Sequence, residues 1–133
     1  MIKGFEELTH ELTPYERDVL LPAIRLGLLG RKGKERAITN PTMVKMLKAK
    51  GYKKTNEPRI RKIIFILRAT NEVPRLIATS KGYYIATTKK ELYDWSVSMQ
   101  GRIDALNETL SYAKRQINEW DNPNTQQKFN YGK

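Results

Sequence analysis

The hydrophobic positions fall into periodic runs separated by turn residues, and each run predicts an element. Val19, Leu20, Ala23, Ile24 and Leu28 form an apolar stripe behind Thr13-Pro14-Tyr15-Glu16. There Thr13 can cap a helix, Pro14 suits its first position, and Glu16 can return the bond of a capping box. Pro22 lies inside this run and has no backbone N–H, so a kink is expected there. Gly27 and Gly30 end the helix, GRKGKER (30–36) reads as a basic loop, and Ala37-Ile38-Thr39 reads as a short strand. A second helix opens at Asn40-Pro41 with Asn40 at its start, shows Met43, Val44 and Leu47 on one side, and stops at Gly51. A third takes Asn56 as cap and runs through EPRIRKIIFILRAT, with Ile60, Ile63, Ile64 and Leu67 inside an arc of about 60°. Asn71 and Pro74 break it, and Asn71 stands where a left-handed turn residue is needed. Leu76–Thr79 and 83–87 are β-prone runs around Ser80-Lys81-Gly82, where Gly82 supplies the positive φ of a tight turn.

The last run is the longest. Thr88-Lys89-Lys90-Glu91 is a second capping box, followed by Leu92, Trp95, Met99, Ile103, Leu106, Leu110, Ala113, Ile117 and Trp120 at spacings of 3, 4, 4, 3, 4, 3, 4 and 3. The last six positions are a heptad seam, and the 3-4-4 opening is a single hendecad stutter. A helix over 89–120 would reach roughly 48 Å, more than a small domain needs for packing. Leu92, Trp95 and Met99 are expected to pack on the preceding domain. The rest is expected to pair with a second copy as a coiled coil; the competing arrangement folds it back onto Phe5, Leu8 and Leu12. The organisation expected is an N-terminal arm (1–12), a globular domain (13–88), a long dimerisation helix (89–120) and a polar flexible tail (121–133).

Charge sharpens this picture. The chain has 133 residues and a net charge of +11, and the charge is concentrated. Residues 25–90 hold 18 Lys or Arg against Glu35, Glu57 and Glu72, while the segments on either side are slightly acidic. A confined cationic segment of this kind points to nucleic acid. The absence of cysteine excludes a disulfide framework, a thiolate nucleophile and a Cys-based zinc site. No apolar run approaches the ~18 residues that span a bilayer, and the acidic N-terminus has no signal-peptide core. An intracellular location without membrane attachment is the expectation. No Walker, HExxH, GxSxG or EF-hand pattern occurs, and His10 sits in a polar stretch. Asp104 and Glu108 share a helix face, the ordinary state of exposed carboxylates. No catalytic, metal-binding or cofactor-binding residue is expected, and an enzyme is the weakest class.

The second and third helices have the order of a helix-turn-helix, in which the first turns of the second member face base edges in the major groove. Thr55, Asn56, Arg59, Arg61 and Lys62 occupy that place here. Arg pairs bidentately with guanine, and Asn56 suits adenine or a phosphate. Backbone N–H groups at Asn40 and Asn56 offer phosphate sites. Phe65 suits either a thymine methyl or packing on a neighbouring loop. Lys81 at the hairpin tip suits the backbone or minor groove. Tyr83 and Tyr84 either both cover the core, or one packs inward while the other reaches sugar or phosphate.

Residues 13–112, through TPYERDVLLPAI, AITNPTMVKMLKAKGYK, EPRIRKIIFILR, LIATSKGYYIATTKKEL and MQGRIDAL, resemble the small winged-helix DNA-binding proteins of bacteriophages and prophages. The resemblance implies a mainly α fold with a small β-hairpin, a winged helix-turn-helix domain followed by the long coiled-coil helix. It also implies association with double-stranded DNA in transcriptional control or replication, in the cytoplasm of a bacterial host at its nucleoid. The competing class is a winged-helix interaction module that binds a host or phage protein. RNA binding comes third, because the aromatic-rich sheet of common RNA modules is missing.

Overall fold

The computed structural model describes residues 11–122. The chain is mainly helical (64%), with a two-stranded antiparallel hairpin and a long C-terminal helix. Its contacts divide it into two units, Met1–Leu92 and Tyr93–Lys133. The first unit opens with the expected capping box. The Thr13 N–H donates to Glu16 Oε1 at 2.9 Å, and the Glu16 N–H donates to Thr13 Oγ1 at 3.1 Å. Glu16–Leu20 is a π-helical turn that runs directly into α1, Leu21–Leu29. The Leu21 N–H reaches back five residues to the Glu16 carbonyl. The disturbance expected as a kink at Pro22 therefore appears as a change of hydrogen-bond register. The wider turn falls just ahead of the residue that has no N–H to donate.

The second helix, α2 (Asn40–Ala49), is capped by Thr39 and not by Asn40. Thr39 Oγ1 accepts the Thr42 N–H at 3.3 Å from an extended backbone, while the Asn40 side chain is drawn off to donate to the Tyr83 hydroxyl at 3.1 Å. The C-terminus of α2 closes as a Schellman motif. Gly51 takes φ +90°, and the Tyr52 N–H donates to the Leu47 carbonyl at 3.0 Å. The third helix, α3 (Glu57–Ala69), ends in the same way without glycine: Asn71 takes φ +61°, and the Glu72 N–H donates to the Leu67 carbonyl at 3.0 Å.

Helix α3 packs against both α1 and α2. Ile60, Ile63, Ile64 and Leu67 are buried as their spacing predicts, and Ile66 is buried as well. Neighbours on two sides widen the covered arc beyond one stripe. Leu12, Leu20, Leu21, Ile24, Leu28, Met43, Leu47, Val73, Leu76 and Ile85 complete this core.

The hairpin pairs β1 (Leu76–Thr79) with β2 (Gly82–Ile85), from Leu76 opposite Ile85 to Thr79 opposite Gly82, leaving Ser80 and Lys81 as the loop. The other edge of β2 is not open. Ile38 exchanges backbone hydrogen bonds with Tyr83 at 3.0 and 2.8 Å, and the Ile85 N–H donates to the Arg31 carbonyl at 2.7 Å. The strand read at Ala37-Ile38-Thr39 is thus a single bridged residue. Gly82 makes this approach possible, because a Cβ there would sit 2.5 Å from the Ile38 carbonyl, at a φ of +119°.

Helix α4, Lys89–Asn118, starts at the second capping box. The Glu91 N–H donates to Thr88 Oγ1 at 3.1 Å, and Glu91 Oε1 accepts from the Thr87 N–H, one residue earlier than expected. The helix stops before Trp120, whose N–H bonds the Ile117 carbonyl in a final turn. No residue of α4 is buried; Leu92, Trp95 and Met99 are half-buried, and Ile103, Leu106, Leu110 and Ile117 are exposed. Of the residues named for a fold-back, Leu12 is committed to the first unit's core. Phe5, Leu8 and the tail positions Phe129 and Tyr131 lie outside the described residues.

Candidate nucleic-acid interface

The acidic residues just before α1 meet the first turns of α3. Arg59 makes a bidentate pair with Glu16, Nη2 to Oε1 at 2.6 Å and Nε to Oε2 at 2.7 Å, and Nη2 also reaches the Glu11 carbonyl at 3.3 Å. Glu16 is 5% exposed, so this pair is largely removed from water. The hydrogen bond from Arg59 holds the Glu16 carboxyl below its ordinary pKa, against the opposing effect of burial, and the same bond raises Arg59. Glu16 Oε1 thus serves the helix cap and the guanidinium at once. Lys62 Nζ lies 2.6 Å from Glu11 Oε2 in a more exposed contact.

This geometry corrects part of the expected site. Arg59 is engaged as a bolt between the α1 cap and α3, and Lys62 faces Glu11 rather than open solvent. Thr55 is 6% exposed and its hydroxyl is buried without a partner, so it is withdrawn from the surface. Asn56 keeps the capping role: its Oδ1 accepts the Arg59 N–H at 3.0 Å. Arg61 is exposed, with only a 3.9 Å contact to Glu57 one turn away. Asn40 is half-buried, tied through Nδ2 to Tyr83, and its Oδ1 has no partner. Lys81 is exposed at the hairpin tip, where its N–H donates to Thr79 Oγ1 at 3.1 Å. Of the two tyrosines, Tyr84 is buried, which raises its phenol pKa, and Tyr83 spends its hydroxyl on Asn40.

What α3 presents to solvent is Pro58, Arg61, Phe65, Arg68 and Ala69, with Phe65 57% exposed. Beside it lies a cationic band that motif reading passed over. Lys45 and Lys48 lie one turn apart on α2, Lys50 closes that helix, and Lys53 and Lys54 form the turn into α3. All five are exposed and have no carboxylate partner among the described residues. The turn is held in place by the Lys53 N–H, which donates to the Tyr15 hydroxyl at 2.9 Å. The signal was present in the sequence: no acidic residue occurs between Glu35 and Glu57, and the buried phase of Met43 and Leu47 turns Lys45 and Lys48 outward.

An apolar groove of about 60 Å³ between α1 and α2, lined by Ala23, Gly27, Met46 and neighbours, is far below the ~300 Å³ of a typical ligand pocket. Among the described residues no group of three or more acidic, His or Cys side chains is placed to hold a metal, and no helix is long and apolar enough to cross a membrane. Asp104 accepts from Gln100 at 2.8 Å and Glu108 from the Tyr112 hydroxyl at 3.2 Å. No family model matches the chain, nor does any curated protein or solved structure.

Proposed function

We propose that this chain is a non-enzymatic double-stranded DNA-binding protein, a phage transcription or replication regulator acting in the bacterial cytoplasm. Its first unit works as a winged helix-turn-helix, and α4 joins two copies as a coiled coil. The observation that carries this reading is the uncompensated band of Lys45, Lys48, Lys50, Lys53 and Lys54 beside the exposed face of α3. Five cations within ten residues, on a helix, its turn and the next helix start, repel one another unless an anion lies across them. A duplex backbone supplies such an anion in register. In this docking the band lies on phosphates, Arg61, Phe65 and Arg68 face the major groove, and Lys81 at the wing tip reaches the backbone or minor groove.

One observation favours a second reading. Arg59 and Lys62 already take carboxylates from this chain's own acidic segment, so the basic face accepts acidic protein. On that reading the partner is a host or phage protein with an acidic surface. A salt series on duplex DNA separates the two. A dimer that neutralises roughly four phosphates per protomer should show a log–log slope near −7. A slope near zero, or no binding at about 50 mM salt, leaves the interaction module as the better reading.

A further inference from the structure

We infer that the α4 seam pairs antiparallel with a second copy of this chain. In this register Ile103 lies against the partner's Trp120, Leu106 against the partner's Ile117, and Leu110 against the partner's Ala113. The inference rests on the coiled-coil reading above and deepens it by fixing direction and register.

Three properties of the helix support it. The first is the exposed stripe itself. Ile103, Leu106, Leu110, Ile117 and Trp120 are 44%, 69%, 50%, 70% and 70% exposed, a continuous apolar seam on one face of one helix. The second is symmetry and size. The spacing 3-4-3-4-3 reads the same in both directions, so a two-fold axis between Leu110 and Ala113 places all six residues in layers with none left over. A parallel pair would set Ala113 on Ala113 between two large layers, leaving a void, and would stack Trp120 on Trp120. The antiparallel pair sets the small Ala113 against Leu110 and the large Trp120 against Ile103, which fills the layers more evenly.

The third is charge along the axis. Asp104 and Glu108 lie on the N-terminal half of the seam and Lys114 and Arg115 on the C-terminal half. Inside the chain they meet only neutral groups: Gln100 for Asp104, Tyr112 for Glu108, and the Tyr112 ring 5.6 Å from Arg115. None has an oppositely charged partner among the described residues. Antiparallel pairing brings the acidic half of each copy level with the basic half of the other, whereas parallel pairing brings like against like. The direction also has a consequence for DNA. It attaches the two cationic units to opposite ends of the bundle, with the two Leu92 residues on the order of 60 Å apart along the axis. Half-sites one helical turn apart, about 34–36 Å, are then replaced by two more widely separated stretches of duplex.

The chain has no cysteine, so introduced thiols report without background. Full-length Leu106→Cys and Ile117→Cys proteins, one of them isotopically heavy, are mixed, re-equilibrated and oxidised in a glutathione buffer. The expected product is the mixed Leu106→Cys/Ile117→Cys disulfide. Predominance of the two self-disulfides overturns the direction and leaves the coiled coil standing. Because a thiol in the seam can itself weaken pairing, Ala113→Leu gives an independent sign. Opposite Leu110 it overfills the layer and should weaken the dimer about tenfold, whereas in a parallel pair it fills the void and tightens it. Tightening overturns the inference. Sedimentation of the wild-type chain as a monomer at tens of micromolar overturns the underlying coiled-coil reading, an outcome distinct from both.

Discussion

Helices α3 and α4 carry the same kind of local instruction and meet different fates. Both repeat Ile and Leu at helical spacing, and both begin at a side-chain cap, Asn56 in one and Thr88 in the other. In α3, five of 13 residues are buried; in α4, none of 30 is. The first stripe finds α1, α2 and the hairpin within its own unit, and the second finds no cover among the described residues. Periodicity therefore establishes that a helix forms and which face is apolar, and leaves open what covers that face. The long helix draws its local support from pairs one turn apart, such as Gln100 with Asp104 and Glu108 with Tyr112.

The contrast can be broken directly. Leu67 is 0% exposed, so Leu67→Ala should cost about 2–5 kcal/mol in urea unfolding. Leu106→Ala, at 69% exposure, should change the unfolding of the first unit by less than about 0.5 kcal/mol while weakening any dimer. Equal costs would mean that the α4 seam is buried within its own chain.

The next effect concerns the bolt between α1 and α3. Glu16→Gln keeps the shape and removes the charge facing Arg59, and should cost about 2–3 kcal/mol, below a fully buried pair because Arg59 retains some exposure. The sign with pH follows from the depressed Glu16 pKa. Its stabilisation is complete above the unfolded carboxyl value of about 4.3 and is lost as pH falls through the lower folded value. Wild type should thus lose stability below about pH 4 by more than the Glu16→Gln protein does. Unfolding curves at stepped pH check this, and parallel losses in the two proteins would assign the acid sensitivity to other carboxylates.

The smallest effect separates engaged from free cations. Lys45→Ala and Lys48→Ala should each lower duplex affinity a few-fold and reduce the salt slope by about 1. Arg59→Ala should lower stability and leave the slope unchanged. A changed slope for Arg59→Ala with none for Lys45→Ala would move the DNA to the other side of α3.

Sequence alone determined every feature whose partners lie within about one helical turn. The capping boxes at Thr13/Glu16 and Thr88/Glu91, the helix ends at Gly51 and Asn71, the two-residue loop at Ser80-Lys81 and the inward phase of Ile60, Ile63, Ile64 and Leu67 all belong to this class. Such contacts close because the backbone brings neighbours together with little freedom to do otherwise. Tertiary structure decided the rest. Arg59 reaches Glu16 across 43 residues and Lys62 reaches Glu11 across 51. Asn40 gives its amide to Tyr83 and leaves the cap to Thr39, Thr55 disappears beneath the surface, and Ile66 is covered from a second side. A row of basic residues looks alike in one dimension whether or not acids will face it. Only the fold, by bringing some carboxylates within 3 Å and none near Lys45, Lys48 or Lys53, separates the cations that hold the protein together from those left for a partner.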